Sequence, residues 1–217
     1  MLELRNVGKV YPGDMMALFN VSLVLNPGEL VTIYGPTGAG KTTLIRLISA
    51  EDVPTDGEIL FDGLSSLRLK GKRLLQWRQN IGTVYQDLRL LKDKTVATNV
   101  AVPLRVQAKT KKEIENLTLE MLSFLRMEAR KDSYPDELSA GEKQKVALAR
   151  ALVSQPRLIL ADEPTANLDT PTTQEILSLI RGLNHLGNTI LLTTNRKEVA
   201  DFLSFGKTCQ LNLGRLA

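Results

Sequence analysis

The chain carries Gly35-Pro36-Thr37-Gly38-Ala39-Gly40-Lys41-Thr42, which matches the pattern G-x-x-x-x-G-K-[ST]. A short β-branched run, Leu30 to Tyr34, precedes this phosphate loop, and Lys41 to Ala50 has the apolar spacing of a helix. Small residues between a strand and a helix let backbone N–H groups wrap a phosphate at the helix N-terminus. The stretch therefore predicts a nucleoside-triphosphate site, with Lys41 at the β- and γ-phosphates and Thr42 on Mg²⁺.

A second motif reads Leu158-Ile159-Leu160-Ala161-Asp162-Glu163, four apolar residues followed by two acids. Acids often follow strands at turns and helix starts, so the motif alone leaves a structural role open. Together with the phosphate loop it predicts catalysis. Asp162 would hold Mg²⁺ through its water shell, and Glu163 would act as the general base on the attacking water.

Strand-like and helical runs alternate along the chain, which predicts an α/β fold with a mainly parallel sheet covered on both faces. We expect a single domain over residues 1–217, with a helical subdomain inserted at roughly residues 87–150. The predicted strands are Leu2 to Val7, Val21 to Leu25, Leu30 to Tyr34, Gly57 to Phe61, Ile81 to Tyr85, Leu158 to Ala161 and Thr189 to Thr194; the predicted helices include Lys41 to Ala50, Ala140 to Val153 and Thr172 to Leu183.

The composition indicates a cytoplasmic protein. The sequence holds one cysteine, Cys209, and no apolar run of the ~18 residues that a membrane span needs. The net charge is +4, and the densest basic stretch contains a single aromatic residue, Trp77. Because single-strand binders need several stacking aromatics, we expect no nucleic-acid partner and a solvated face near lipid headgroups. The cations of this stretch are Arg68, Lys70, Lys72, Arg73 and Arg78.

The stretch Leu138-Ser139-Ala140-Gly141-Glu142, followed by Lys143 to Ala151, resembles the signature loop of the ATP-binding-cassette (ABC) superfamily. A Ser and a Gly that open a helix form an anion site. A capped helix alone does not explain why the motif ends 20 residues (162 − 142) before Asp162. The resemblance implies that Ser139 and Gly141 address the γ-phosphate held by a second copy, in a head-to-tail dimer that closes on ATP.

The same resemblance implies a P-loop NTPase core with an antiparallel β subdomain and a helical subdomain. It also assigns further residues. Tyr11, in an early loop, would stack on adenine, although it could also be a core residue. Gln86 would touch Mg²⁺ and sense a membrane partner, and Asp169 would cross to the opposite subunit. Thr43 and the phosphate-loop residues Gly35, Pro36, Thr37, Gly38, Ala39, Gly40, Lys41 and Thr42 would hold ATP.

Within the superfamily, the stretch from Gln86 to Leu91, with Thr95-Val96 and Asn99 to Leu104, is most similar to the FtsE family of cell-division ATPases. The LolD and MacB families share much of this pattern. The resemblance implies an integral membrane partner like FtsX, control of peptidoglycan hydrolysis, and a peripheral position on the inner face of the cell membrane. A role as the ATPase subunit of a transporter for lipoprotein release or drug efflux stays open. The 121 residues (162 − 41) between Lys41 and Asp162 leave no room for the coiled coil of a DNA-repair ATPase.

Three positions depart from the family pattern. Asn195 stands where the family has a histidine that contacts the γ-phosphate and the attacking water. The only histidine, His185, falls in a predicted turn from Asn184 to Gly187. Asparagine donates hydrogen bonds but carries no charge, so we expect normal ATP binding with slow hydrolysis, and a nucleotide-gated scaffold stays open. Ala140 and Glu142 replace the commoner glycine and glutamine, and Glu142 should bring negative charge near the triphosphate.

Overall fold

Two β-sheets form the framework of the computed structural model, which describes all 217 residues. The first sheet is antiparallel and contains β1 (Leu2–Tyr11), β2 (Met15–Leu25), β4 (Asp56–Phe61) and β5 (Leu64–Ser65), in the order β2-β1-β4-β5. The second contains β3 (Leu30–Tyr34), β6 (Ile81–Val84), β7 (Leu158–Asp162), β8 (Ile190–Thr194), β9 (Lys207–Asn212) and β10 (Arg215–Leu216). Its order is β10-β9-β3-β8-β7-β6, with every pair parallel except β9 and β10. The predicted α/β class is confirmed.

Seven α-helices surround the sheets: α1 (Lys41–Ile48), α2 (Lys72–Gln79), α3 (Val96–Val106), α4 (Lys111–Phe124), α5 (Ala140–Leu152), α6 (Thr170–His185) and α7 (Lys197–Phe202). Helices α3, α4 and α5 pack on one another. None of the seven combines the length and the apolar character that crossing a bilayer requires.

The parallel sheet has a separate hydrophobic core on each face. Ile159 and Ala161 of β7 face the core that α3, α5 and α6 cover. Leu158 and Leu160, the alternate residues, face the core that α1 and the antiparallel sheet cover. Because successive strand side chains point to opposite faces, a strand buried on both sides reads as an unbroken apolar run.

The N-terminal hairpin is longer than predicted, and its β2 strand touches the phosphate loop. Tyr11 is the last residue of β1, where it pairs with Met15, so its prediction as a loop residue was wrong. Gly40 has φ 103°, and a Cβ there would lie 2.4 Å from the Ala17 carbonyl oxygen. Only glycine fits this contact, so β2 supports the phosphate loop directly.

The C-terminal elements α7, β9 and β10 were not predicted. Strand β9 pairs with β3 along Val31–Tyr34 and buries Cys209, so it completes the sheet beside the phosphate-loop strand. Helix α6 ends at His185, whose ring stacks on Phe205 with centroids 5.8 Å apart. His185 is thus the last residue of a helix and not a turn residue as predicted.

Candidate nucleotide site

Four neighbouring strands of the parallel sheet end at one edge, and each leads into predicted site residues. Tyr34, the end of β3, lies opposite Thr194 of β8, and Thr193 lies opposite Asp162 of β7. Val84 of β6 lies opposite Ala161. The residues that follow these strands therefore share the carboxyl edge of the sheet, where α/β proteins bind ligands. They are the phosphate loop, Glu163, Asn195 and Gln86.

The phosphate loop ends in an uncapped helix N-terminus. The Gly35 N–H donates to the Thr194 carbonyl at 3.1 Å, which ties the loop to β8. Gly40, the residue before α1, has no side chain to cap the helix, and the first turn of α1 contains no acid. The N–H groups of this turn, which includes Thr42 and Thr43, are left for an anion.

Lys41 and Glu163 form a buried ion pair in this site. The Lys41 Nζ lies 3.3 Å from Glu163 Oε1, and the two side chains are 6% and 8% exposed. Nζ also donates to the carbonyls of Gly35 and Pro36, at 2.8 and 2.9 Å. A lone buried charge is costly, so each of these two groups stabilises the charge of the other. The ion pair therefore places the Lys41 ammonium between Glu163 and the backbone of the phosphate loop.

The second oxygen of Glu163 is also occupied. The Asn195 N–H donates to Glu163 Oε2 at 3.1 Å, and the Asn195 side-chain amide donates to Thr37 Oγ1 at 3.5 Å. Glu163 has a positive φ of 49°, and its own N–H donates to the Thr193 carbonyl at 3.0 Å. Asn195 thus bridges Glu163 and the phosphate loop from the end of β8.

Asp162 is oriented by Thr193, a residue that sequence reasoning missed. The Thr193 hydroxyl donates to Asp162 Oδ1 at 2.6 Å, and both residues are buried. A threonine at the end of an apolar strand, two residues before Asn195, was the available signal. Thr42 and Gln86 are exposed.

These donors fit Mg²⁺ held together with phosphate. One carboxylate, one hydroxyl and one amide suit an ion that keeps most of its shell as water and phosphate oxygens. No group of three or more His, Cys, Asp or Glu side chains gathers anywhere in the chain to hold a metal by protein ligands alone. Asp162, Thr42 and Gln86 are the residues predicted to hold Mg²⁺.

Ser139, Gly141 and Asp169 form a second cluster, apart from Lys41. Ser139 Oγ caps α5 by accepting from the Glu142 N–H at 3.2 Å, and Asp169 Oδ1 caps α6 by accepting from the Thr172 N–H at 2.9 Å. A Cβ on Gly141 would lie 2.6 Å from Thr172 Cγ2, so the starts of the two helices touch. The hydrogen bonds from Thr172 hold the pKa of Asp169 below its usual value.

The Glu142 carboxylate binds two groups near the start of α5, the Ser139 N–H and the Arg130 guanidinium. It accepts from the Ser139 N–H at 2.8 Å and pairs with Arg130 at 2.9 Å. The Ser139 N–H is the main cause that lowers the pKa of Glu142. The negative charge expected near the triphosphate is thus partly neutralised by Arg130, which the sequence did not single out.

Tyr11 lies at the tip of the same hairpin as Ala17, the residue that contacts Gly40. Its ring is partly exposed, and the Lys9 ammonium lies 5.0 Å from the ring centroid. Lys9 itself pairs with Asp52 at 2.6 Å. Tyr11 therefore presents a partly exposed aromatic surface on the hairpin that supports the phosphate loop.

The sequence has close relatives among ATP-binding proteins. The profile of the family described as ABC transporter matches residues 18–166. The cell division ATP-binding protein FtsE of Bacillus subtilis is 38% identical over 93% of this chain and 88% of its own length. The FtsE of Mycobacterium tuberculosis is 39% identical over 100% of this chain and 94% of its own length. The methionine import ATP-binding protein MetN of Haemophilus influenzae is 40% identical over 92% of this chain, but the chain spans only 59% of that relative.

Solved structures agree in fold over the whole chain. The ATP-binding cassette MJ0796, in a dimeric post-hydrolysis state bound to ADP and Pi, matches with a TM-score of 0.90 at 36% identity and covers 100% of this chain and 96% of its own. The cbiO1 protein of Clostridium perfringens, part of the ABC transporter complex cbiONQ, matches with a TM-score of 0.87 at 28% identity, covering 100% and 86%.

Lys41→Ala tests the phosphate site. The variant lacks the only side-chain cation of the phosphate loop, and a hydrogen-bonded charge is worth about 1.5–3 kcal/mol, so ATP affinity should fall at least about ten-fold. Titration with a fluorescent ATP analogue measures it. Arg46→Ala, which removes an exposed cation from the same helix, is the matched control and should bind normally. Equal affinity in the two variants would remove Lys41 from the site.

Proposed function

The chain belongs to the ABC transporter family, and on that premise we propose that it is the ATP-hydrolysing subunit of a membrane complex of the FtsE–FtsX kind. One observation carries the hydrolytic function. The phosphate loop, the Asp162–Glu163 pair and Asn195 meet at one edge of the parallel sheet, with Lys41 and Glu163 in contact. This is the arrangement that hydrolysis of a γ-phosphate needs: a cradle, a cation and a general base.

Hydrolysis follows from the way this site changes when ATP enters. The triphosphate binds the free N–H groups of α1 and draws Lys41 away from Glu163 Oε1. The carboxylate released from the lysine then accepts a proton from the attacking water. Asn195, already bonded to Glu163 and Thr37, holds the base against the phosphate loop. Bound Mg²⁺ would neutralise charge that develops on the phosphate oxygens.

The second cluster completes the site of another copy. This cluster lies at the starts of α5 and α6, where Ser139 and Asp169 are the N-cap residues. The Ser139 side chain is exposed. The hydrogen bonds of these two caps go to Glu142 and Thr172 and none reaches the phosphate loop. Two copies arranged head to tail would place each cluster over the partner's γ-phosphate. Two composite sites then close together when ATP is bound.

The membrane partner would dock in a cleft beside Gln86. This cleft has a volume of about 630 Å³ and lies between the end of α1, α2, β6, α3 and α5. Leu91, Val102 and Val106 make part of its wall apolar, and Glu51 and Arg89 add charge. A short helix from the cytoplasmic side of a membrane protein fits such a wall. The inserted segment at residues 87–150 would then be the helical subdomain that moves with the partner, at the inner face of the membrane.

A role in cell division is supported by two relatives that match over most of their length. The two FtsE proteins match over nearly their whole chains, at 38% and 39% identity. The ATPase subunit of a solute transporter is the second candidate, because MetN is 40% identical, although this chain spans 59% of it.

Purification of the chain with its native membrane partner separates these two candidate functions. A partner whose loss blocks cell division supports the first, and one whose loss blocks solute transport supports the second.

Glu163→Gln tests the general base. The amide keeps the shape of the side chain but accepts no proton, so hydrolysis should fall by at least about 10². The substitution also removes the ion pair that holds Lys41, so ATP should bind at least as tightly as in the parent chain. Gel filtration with Mg-ATP should then show a species of twice the mass. A monomer that hydrolyses ATP at the parent rate would contradict the role of Glu163.

Asn195→His tests the departure from the family. A single transition-state contact is commonly worth about 10²–10³ in rate, and Asn195 supplies it without a charge. We expect slow basal hydrolysis in the parent chain and a several-fold rise in kcat in the variant, with unchanged ATP affinity. Steady-state assays on both proteins measure this. A fast parent chain that the histidine does not accelerate would mean that Asn195 or another group already does the work expected of a histidine, and it would contradict a slowly hydrolysing scaffold.

A further inference from the structure

Two arginines hold the turn that carries Gln86, and neither belongs to the nucleotide site. The Gln86 turn, residues Gln86–Leu91, connects β6 to the segment before α3. Leu88 and Arg89 both have positive φ, 57° and 46°, a conformation that costs free energy for residues other than glycine. Such a turn persists only where its surroundings impose it.

Arg150 of α5 binds the backbone of this turn. Its guanidinium donates to the Arg89 carbonyl at 2.7 Å and to the Leu88 carbonyl at 2.5 Å. The planar fork of an arginine suits two adjacent acceptors. Burial lowers the pKa of Arg150, so its charge depends on these carbonyls for solvation.

Arg89 connects the turn to Glu51, which lies just after the end of the phosphate-loop helix α1. Its Nη1 lies 2.9 Å from Oε2 of Glu51, which follows α1, and its guanidinium carbon lies 3.6 Å from the centroid of the Tyr85 ring. The Tyr85 hydroxyl donates to the same carboxylate. Burial opposes ionisation of Glu51, but these hydrogen bonds outweigh it and hold the pKa below its usual value.

The turn therefore connects the two helices that address nucleotide. Helix α1 starts at the chain's own phosphate loop, and α5 starts at Ser139, which would face the nucleotide of a second copy. Arg150 lies ten residues after Ala140, about 15 Å along the helix axis. Because the turn is bonded to both helices, a shift of α5 relative to α1 would either displace the turn or break one of these contacts.

We propose that Arg150 and Arg89 are positioning residues that couple the placement of Gln86 to the relative position of α5 and α1. This rests on the proposed function, since Gln86 matters there as a magnesium ligand and as the neighbour of the docking cleft. Arg150 transmits the position of the α5 start, and Arg89 transmits that of the phosphate-loop helix. Loss of either bond frees the turn from one of the two helices.

The test uses Arg150→Met, which keeps the unbranched stem and removes the donors, and Arg78→Ala as the matched control. Arg78 donates to the Ala50 carbonyl at 2.8 Å, one residue before Glu51, and makes no hydrogen bond to the turn. Amide hydrogen exchange of residues 85–92 is followed with and without Mg-ATP, and kcat and KM are measured. We expect protection by ATP in the parent chain and in Arg78→Ala, and its loss in Arg150→Met. The kcat of Arg150→Met should fall at least about ten-fold with KM within about two-fold.

Protection and kcat at parent values in Arg150→Met would overturn the coupling. If that variant does not fold, Arg89→Ala, which replaces a side chain that is 39% exposed, carries the test with the same expected losses and the same contrary result. A parent chain that shows the protection but no hydrolysis, with protection lost in the variant, would support the coupling and contradict the proposed function. Normal hydrolysis and unchanged protection in every variant would support the proposed function and contradict the coupling.

Discussion

The register of β3, β8 and β7 is the constraint on which the rest of the site depends. Because Tyr34 pairs with Thr194 and Thr193 with Asp162, the phosphate loop and the two acids follow their strands at the same level. A slip of one residue in β7 would turn each side chain of the strand, including that of Asp162, to the other face of the sheet. Such a slip would also separate the Asp162 carboxylate from the Thr193 hydroxyl that donates to it at 2.6 Å.

The same arrangement bonds the predicted site residues to one another. Glu163 pairs with the Lys41 ammonium through one carboxylate oxygen and accepts from the Asn195 N–H through the other. Ser139 and Asp169 are likewise occupied as helix caps on a separate surface. The Gln86 turn lies between these two regions and is bonded to the helix that starts at each. ATP would thus act by replacing contacts within one chain with contacts between two.

Local sequence patterns predicted the strands that lead into the predicted site residues, but they missed β9 and the start of β2, which pack beside them. The largely apolar, β-branched runs at Leu30, Leu158 and Thr189 predicted the central strands, because a strand buried on both faces is apolar at most positions. Strand β9 alternates exposed and buried residues, and the start of β2 is largely exposed, so neither resembled a buried strand. The contacts of Arg150 with Leu88 and Arg89 join residues 62 and 61 positions apart, which no local pattern reports.

The central claim is that one ATP site is built from two copies, and mixing two inactive variants tests it most directly. Lys41→Ala removes the phosphate-loop cation, and Ser139→Arg blocks the helix start that would face the partner's nucleotide. Each variant alone should be inactive, but a mixed dimer contains one intact site, so an equal mixture should recover about a quarter of the parent ATPase activity. Activity equal to the sum of the two separate variants, or full activity of Ser139→Arg alone, would contradict the account.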